Sequence, residues 1–226
     1  MSGIRTLQCL ATRQGYYFEG DIRVMPLRAS ESDILFQRSI IFGNRIKDRS
    51  NIWKNGRVPY DCHPSLKPLV EQAIAIWHDA TPIRFTPYDN ETAHVLFMPG
   101  DMNESEVGCM KRQQSVMLRD DATLATVMHE MGHVVGLWHE HSRTDRGEHV
   151  LVNVQNIQGH DDSQFNQTSK DAMDFGPYDI ASIMHYDSFA FSGNGSPTIV
   201  RKDGGLIPQN DRLSPGDIAT IKSMYT

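Results

Sequence analysis

Residues 129–146 read "HEMGHVVGLWHEHSRTDR". The segment holds four of the chain's ten histidines, together with two glutamates and two glycines. On a helix, His129 and His133 project from one face about one turn apart. Two imidazoles placed this way can share one zinc ion at roughly 2.0–2.1 Å each. Glu130 lies about 100° round the helix from His129, where it can reach water at the metal without being a ligand. Gly136 can end the helix in a left-handed conformation, and the chain can then bring His139 back to the same metal. Three protein ligands leave one position open, which marks a catalytic zinc rather than a structural one. The rival reading is a row of surface histidines, but five residues at the fixed offsets H-E-x-x-H-x-x-G-x-x-H leave it little room.

The helix itself is legible around these residues. Leu124, Val127, Met128, Met131, Val134 and Val135 fall at helical spacing, so a helix is expected over 123–137, capped by Asp121 or Thr123. An amphipathic helix is expected over 64–78, on Leu66, Leu69, Val70, Ala73, Ile74 and Trp77. Strands are expected at "IRFTPY", "HVLFM" and "SVMLR", with a turn at Asn55-Gly56 and extended chain before Pro59. A short helix closes the chain over 217–225, with Ser214 or Asp217 near its cap. Strands and helices do not alternate regularly, so the fold class is α+β rather than a doubly wound sheet.

With 226 residues and 39% apolar composition, the chain can bury a real core in one domain or in two lobes around a cleft. A net charge of -6 and the lack of a basic cluster argue against a nucleic-acid partner. No stretch reaches the length of a membrane span, and the first residues lack the apolar run of a signal peptide. Of the three cysteines, Cys62 and Cys109 could be bridged or could both be reduced.

The longer histidine pattern is that of the metzincins, which also need a methionine turn downstream; "SIMHY" at 182–186 supplies Met184. Together the two motifs resemble the astacin family of metzincin zinc endopeptidases. The family pattern H-E-x-x-H-x-x-G-x-x-H-E-x-x-R-x-D-R is met at each defined position, including Glu140, Arg143, Asp145 and Arg146. With "NRIKDRSNIWKNGRVPY" and "QQSVMLRD", the resemblance runs from Asn44 to Thr226.

The resemblance implies a peptidase domain over 44–226, with an upper lobe of about 44–138, a lower lobe of about 139–226 and a cleft between them. It implies Zn²⁺ on His129, His133 and His139, with Glu130 as general base and then acid. Tyr186 would stabilise the tetrahedral intermediate, Met184 would form an apolar floor, and Glu140 would sit beside the mature N-terminus. "SVMLR" would be the edge strand that pairs with an extended protein or peptide substrate. A monomer acting in a secreted or extracytoplasmic setting is expected. The cysteines depart from the family's two-bridge pattern.

Residues 1–43 lie outside that domain. "FEGD" at 18–21 matches the F-x-G-D motif of astacin propeptides. There Asp21 would be a fourth zinc ligand in the latent form only, with the propeptide crossing the cleft as an intramolecular inhibitor. Cys9 is a competing ligand with no motif around it.

Overall fold

The spacing of Val70, Ala73, Ile74 and Trp77 produces helix α1, Lys67–Ala80, with these four residues as its buried face. Pro68 stands in the first turn, where its missing amide would have had no helical partner. The helix starts later than the apolar spacing suggests, because residues 63–66 form a turn in which the Leu66 amide donates to the His63 carbonyl at 3.0 Å. The computed structural model describes residues 10–11, 15–18, 22–26, 45, 48–160, 162–167 and 173–226.

Against α1 packs a four-stranded sheet. Its strands are β4 (Arg57–Cys62), β5 (Arg84–Pro87), β6 (His94–Pro99) and β7 (Gln113–Leu118), in the order β5-β4-β6-β7. All three pairings are parallel. Tyr60 pairs with Pro87 on one side and Val95 on the other, so β6 begins along β4 where β5 ends. That stagger lets the short 88–93 segment join two parallel strands, which ordinarily takes a crossover of about a dozen residues.

The return from β6 to β7 corrects one expectation. Glu104 makes an antiparallel bridge to Met117, with its amide and carbonyl both bonded to Met117 at 3.0 and 2.9 Å. The "SVMLR" strand is therefore covered at its centre. The chain beside the cleft is the segment around Glu104, whose neighbours Met102 and Asn103 line the cleft. A loop long enough to return to the start of a parallel strand lies alongside it.

Helix α2, Leu124–Val134, starts at Thr123, whose side chain accepts the Thr126 amide while Thr126 answers to the Thr123 amide. Helix α3, Pro215–Tyr225, starts at Ser214 with the same reciprocal cap from Asp217. Before the sheet, β1 (Leu10–Ala11), β2 (Gly15–Phe18) and β3 (Ile22–Pro26) form an antiparallel meander. After α2, β8 (Val150–Val152) and β9 (Ile199–Arg201) form a two-stranded antiparallel ribbon.

Two cores result. The first gathers Trp53, Trp77, Phe97, Met128 and Met131, and takes Ile221 and Met224 from α3. The second is smaller, with Val150, Ile157, Phe165, Ile199 and Ile207. Among the described residues no helix is long and apolar enough to cross a membrane.

Candidate metal centre and active site

Helix α2 carries the first two histidines and ends just past them. The amides of Val135, Gly136 and Leu137 wrap back onto the carbonyls of Met131, His133 and Gly132. Gly136 has φ +103°, a conformation open to glycine and strained for residues with a Cβ. The reversal returns His139 to His129 and His133, with ring centres 4.7–5.2 Å apart across the three. One ligand atom from each lies within 4.8 Å of the other two.

The hydrogen bonds set the tautomers. His129 Nδ1 donates to the Ile183 carbonyl and His133 Nδ1 to the Leu137 carbonyl, each at 2.8 Å. A carbonyl oxygen only accepts, so both rings carry their proton on Nδ1 and have an unprotonated Nε2. His129 Nε2 faces His139 Nε2 at 3.1 Å. Two lone pairs at that separation repel unless a proton or a cation lies between them. Among the described residues the cluster consists of three imidazoles, a donor set that fits zinc in its catalytic form.

Glu130 is buried beside these rings, and the fully buried Ser105 donates its hydroxyl to Glu130 Oε2 at 2.7 Å. His141 does not join the triad. It is buried behind it, stacked on His139 at 5.0 Å and on Tyr186 at 3.9 Å. His185 is also a packing residue. Its Nδ1 donates to the Tyr186 carbonyl, its Nε2 accepts the Tyr178 hydroxyl, and burial pushes its imidazole down to about 4.

Met184 is buried under α2. A Cβ built on Gly132 would stand 2.5 Å from the Met184 sulfur, so the methionine approaches the helix where a side chain is missing. Gly132→Ala is expected to push Met184 out of register, at a cost of about 1–3 kcal/mol from overpacking. Thermal unfolding measures it, and an unchanged midpoint would contradict the contact.

The methionine turn is held from α3. Asp217 accepts the Ser182 hydroxyl at 2.6 Å and the amides of Ile183 and Ser214 at 2.9 Å each. Burial pushes this carboxyl above its usual range, against the pull of the three donors. Asp217→Asn turns an amide NH₂ towards one of these donors. The expected loss is about 2–4 kcal/mol of stability, read by denaturant unfolding, with zinc held more weakly. A variant as stable as wild type would contradict the anchoring.

Tyr186 is half-buried. Its ring lies 4.7 Å from His139 and stacks on His141. Glu140 Oε1 accepts the Asp179 amide at 2.8 Å and a guanidinium N–H of Arg143 at 3.3 Å. Burial pushes this carboxyl up to about 8, with Arg143 pulling the other way. Arg143 also forks onto Asp145 at 2.8 and 2.9 Å, and Arg146 donates to the carbonyls of His141 and Phe165. A cleft of about 450 Å³ runs past His129 and Glu130, and Met102, Arg119, Ala125, Tyr186, Asp187 and Phe191 are among the residues that line it. Cys62 and Cys109 are both free thiols. Asp21, Cys9, Gly43 and Asn44 lie outside the described residues.

These features agree with comparison to known proteins. The profile of the Astacin peptidase family matches residues 45–226. Zinc metalloproteinase nas-6 of Caenorhabditis elegans is 35% identical over 222 residues, 92% of this chain and 62% of that protein. The chain thus spans less than two thirds of that relative. Astacin-like metalloprotease toxin 1 of Loxosceles intermedia is 31% identical, over 88% of this chain and 81% of that protein. Among solved structures, the hatching enzyme zinc-protease HCE-1 of Oryzias latipes superposes with a TM-score of 0.72 at 28% identity, covering 80% of this chain and 98% of that one. The chain belongs to the astacin family of peptidases.

Proposed function

We propose that the chain hydrolyses peptide bonds in extended protein or peptide substrates, with zinc held by His129, His133 and His139. The observation that carries this reading is the convergence of three imidazoles beside Glu130, whose carboxylate Ser105 holds at 2.7 Å. Zinc, when bound, would supply Lewis acidity, polarising a carbonyl and lowering the pKa of water to about 7. Glu130 takes a proton from the attacking water as the carbon–oxygen bond forms, and delivers it to the amine as the carbon–nitrogen bond breaks. Tyr186 donates its hydroxyl to the developing oxyanion. Met184 supports the histidines from below. Because Glu104 turns its own amide and carbonyl to Met117, those of Asn103, which lines the cleft, turn away from β7 and would pair with an extended substrate. Cleavage of casein or a peptide library should stop on chelation and return with added zinc. Cleavage that survives zinc removal would contradict the reading.

We further propose that residues 1–43 keep a 44–226 peptidase domain latent, with lobes meeting near residue 138, in a monomer that acts outside the cytoplasm. Asp21 would occupy the fourth zinc position. The "FEGD" motif supports this. A tethered carboxylate meets the site at an effective concentration in roughly the millimolar range, so weak intrinsic affinity suffices. Asp21→Ala should cleave peptides without maturation, while Cys9→Ser stays latent; the reverse pattern would install Cys9 instead.

Maturation between Gly43 and Asn44 would free an α-amino group with a pKa of about 7.7–8.0. A cavity of about 80 Å³ lined by Leu137, Glu140, Asp179 and Asp217 can receive it, and Arg45 already bridges to Leu137. A mature N-terminus beyond Trp53, found by mass analysis, would exclude that arrangement.

A further inference from the structure

The loop that follows Tyr186 holds Phe191 in a left-handed conformation, φ +55°. A bulky side chain is strained there, because its Cβ crowds the backbone. The same residue is 40% exposed. Left to local preference, the chain would put glycine or asparagine at this position and would bury the ring.

The surroundings enforce the conformation. The Gln158 amide donates to the Phe191 carbonyl at 2.9 Å, and the Gly193 amide to the Asn156 carbonyl at 2.9 Å. The Ser192 hydroxyl closes the loop onto the Ser196 carbonyl at 2.8 Å. A Cβ on Gly193 would stand 2.8 Å from Gln158 Cα, so the loop is pressed against the neighbouring segment. Strain of this kind persists where neighbours over-determine the backbone, and it gathers at sites that bind or react.

The ring's direction is equally constrained. Its aromatic neighbours are Tyr186, tilted at 5.5 Å, and Phe165, edge-on at 6.3 Å between centroids. Phe191 lines the cleft that also contains His129 and Glu130, and the apolar Met102, Ala125 and Ile183 line the same cleft. A partly exposed aromatic ring in a cleft of mixed lining offers the apolar surface on which an apolar partner of similar shape can pack.

We propose that Phe191 is a specificity-determining residue, whose ring receives a large apolar or aromatic side chain of the substrate. The inference rests on the peptidase reading above. A purely structural role, as a buttress for Tyr186, would be served by a ring turned fully inward.

The test is a matched peptide series cleaved by the active chain, with Phe, Leu or Ala placed in turn at each position around the scissile bond. Wild type should favour Phe or Leu over Ala at one of those positions. Phe191→Ala should lower kcat/KM for the preferred peptide by about tenfold or more relative to its alanine counterpart, so that the ratio at that position collapses. Phe191→Tyr should keep the ratio. Thermal melting checks folding, and should the alanine variant fail to fold, Phe191→Leu should shift the preference from Phe towards Leu. An equal fall for all peptides would assign Phe191 to the support of Tyr186, and an unchanged ratio would remove it from recognition; either result overturns the inference. A wild-type chain that cleaves no peptide would overturn the peptidase reading and this inference with it, a failure distinct from both.

Discussion

Glu130→Gln is expected to keep its zinc and to lose about 10²- to 10⁴-fold in kcat, the usual contribution of a general base. Glutamine has the shape of glutamate, and its amide oxygen can still accept the Ser105 hydroxyl that now meets Oε2 at 2.7 Å. The three imidazoles are untouched, so metal content should not change. What is lost is the ability to take a proton from water and return it to the leaving amine. KM should move little, because the group acts on the transition state and not on binding. A variant that kept more than about a tenth of wild-type kcat would remove Glu130 from the role.

Tyr186→Phe should lower kcat by roughly 10²-fold, the scale of one lost oxyanion donor. Folding should be unaffected, since the ring remains to stack on His141 at 3.9 Å and to pack near Phe165. The substitution removes a hydroxyl and leaves the apolar contacts of the second core in place. KM should again stay close to wild type. An effect confined to KM would make Tyr186 a substrate-binding residue.

The cluster of three histidines was legible because its information is local. His129, His133 and Gly136 sit within two helical turns, and the glycine announces the reversal that returns His139. Caps were legible for the same reason: Thr123 and Ser214 begin α2 and α3 as their sequences suggest. What escaped the sequence was long-range. Ser105 reaches Glu130 across 25 residues and Asp217 reaches the methionine turn across 34 and 35. Serine and aspartate are common types with no periodic signature. The "SPGD" stretch announced a helix cap, and nothing in it showed that the same carboxylate also holds Ser182 and Ile183.

Gly132 was missed although it lies inside the motif. A glycine in a helix interior weakens it by roughly 0.5–1 kcal/mol relative to alanine, and that cost was itself a signal of close approach; the structure shows Met184 as the neighbour. The edge strand was misplaced because strand periodicity identifies β7 but not what lies beside it. Only the Glu104–Met117 bridge shows that the 100–112 return covers that edge. The cysteines, left open by their spacing, are free at Cys62 and Cys109, so the fold is held by its two cores and by buried polar anchors such as Asp217 and Arg143.

The central claim is that His129, His133 and His139 hold the metal on which hydrolysis depends. The most direct test is the zinc content per chain, measured by inductively coupled plasma mass spectrometry on wild type and on His133→Ala purified identically. The account predicts about one zinc per wild-type chain, the number that a single three-histidine site holds, and its near-complete loss in the variant. Retention of zinc by His133→Ala, or a wild-type chain that cleaves peptides without zinc, would contradict it.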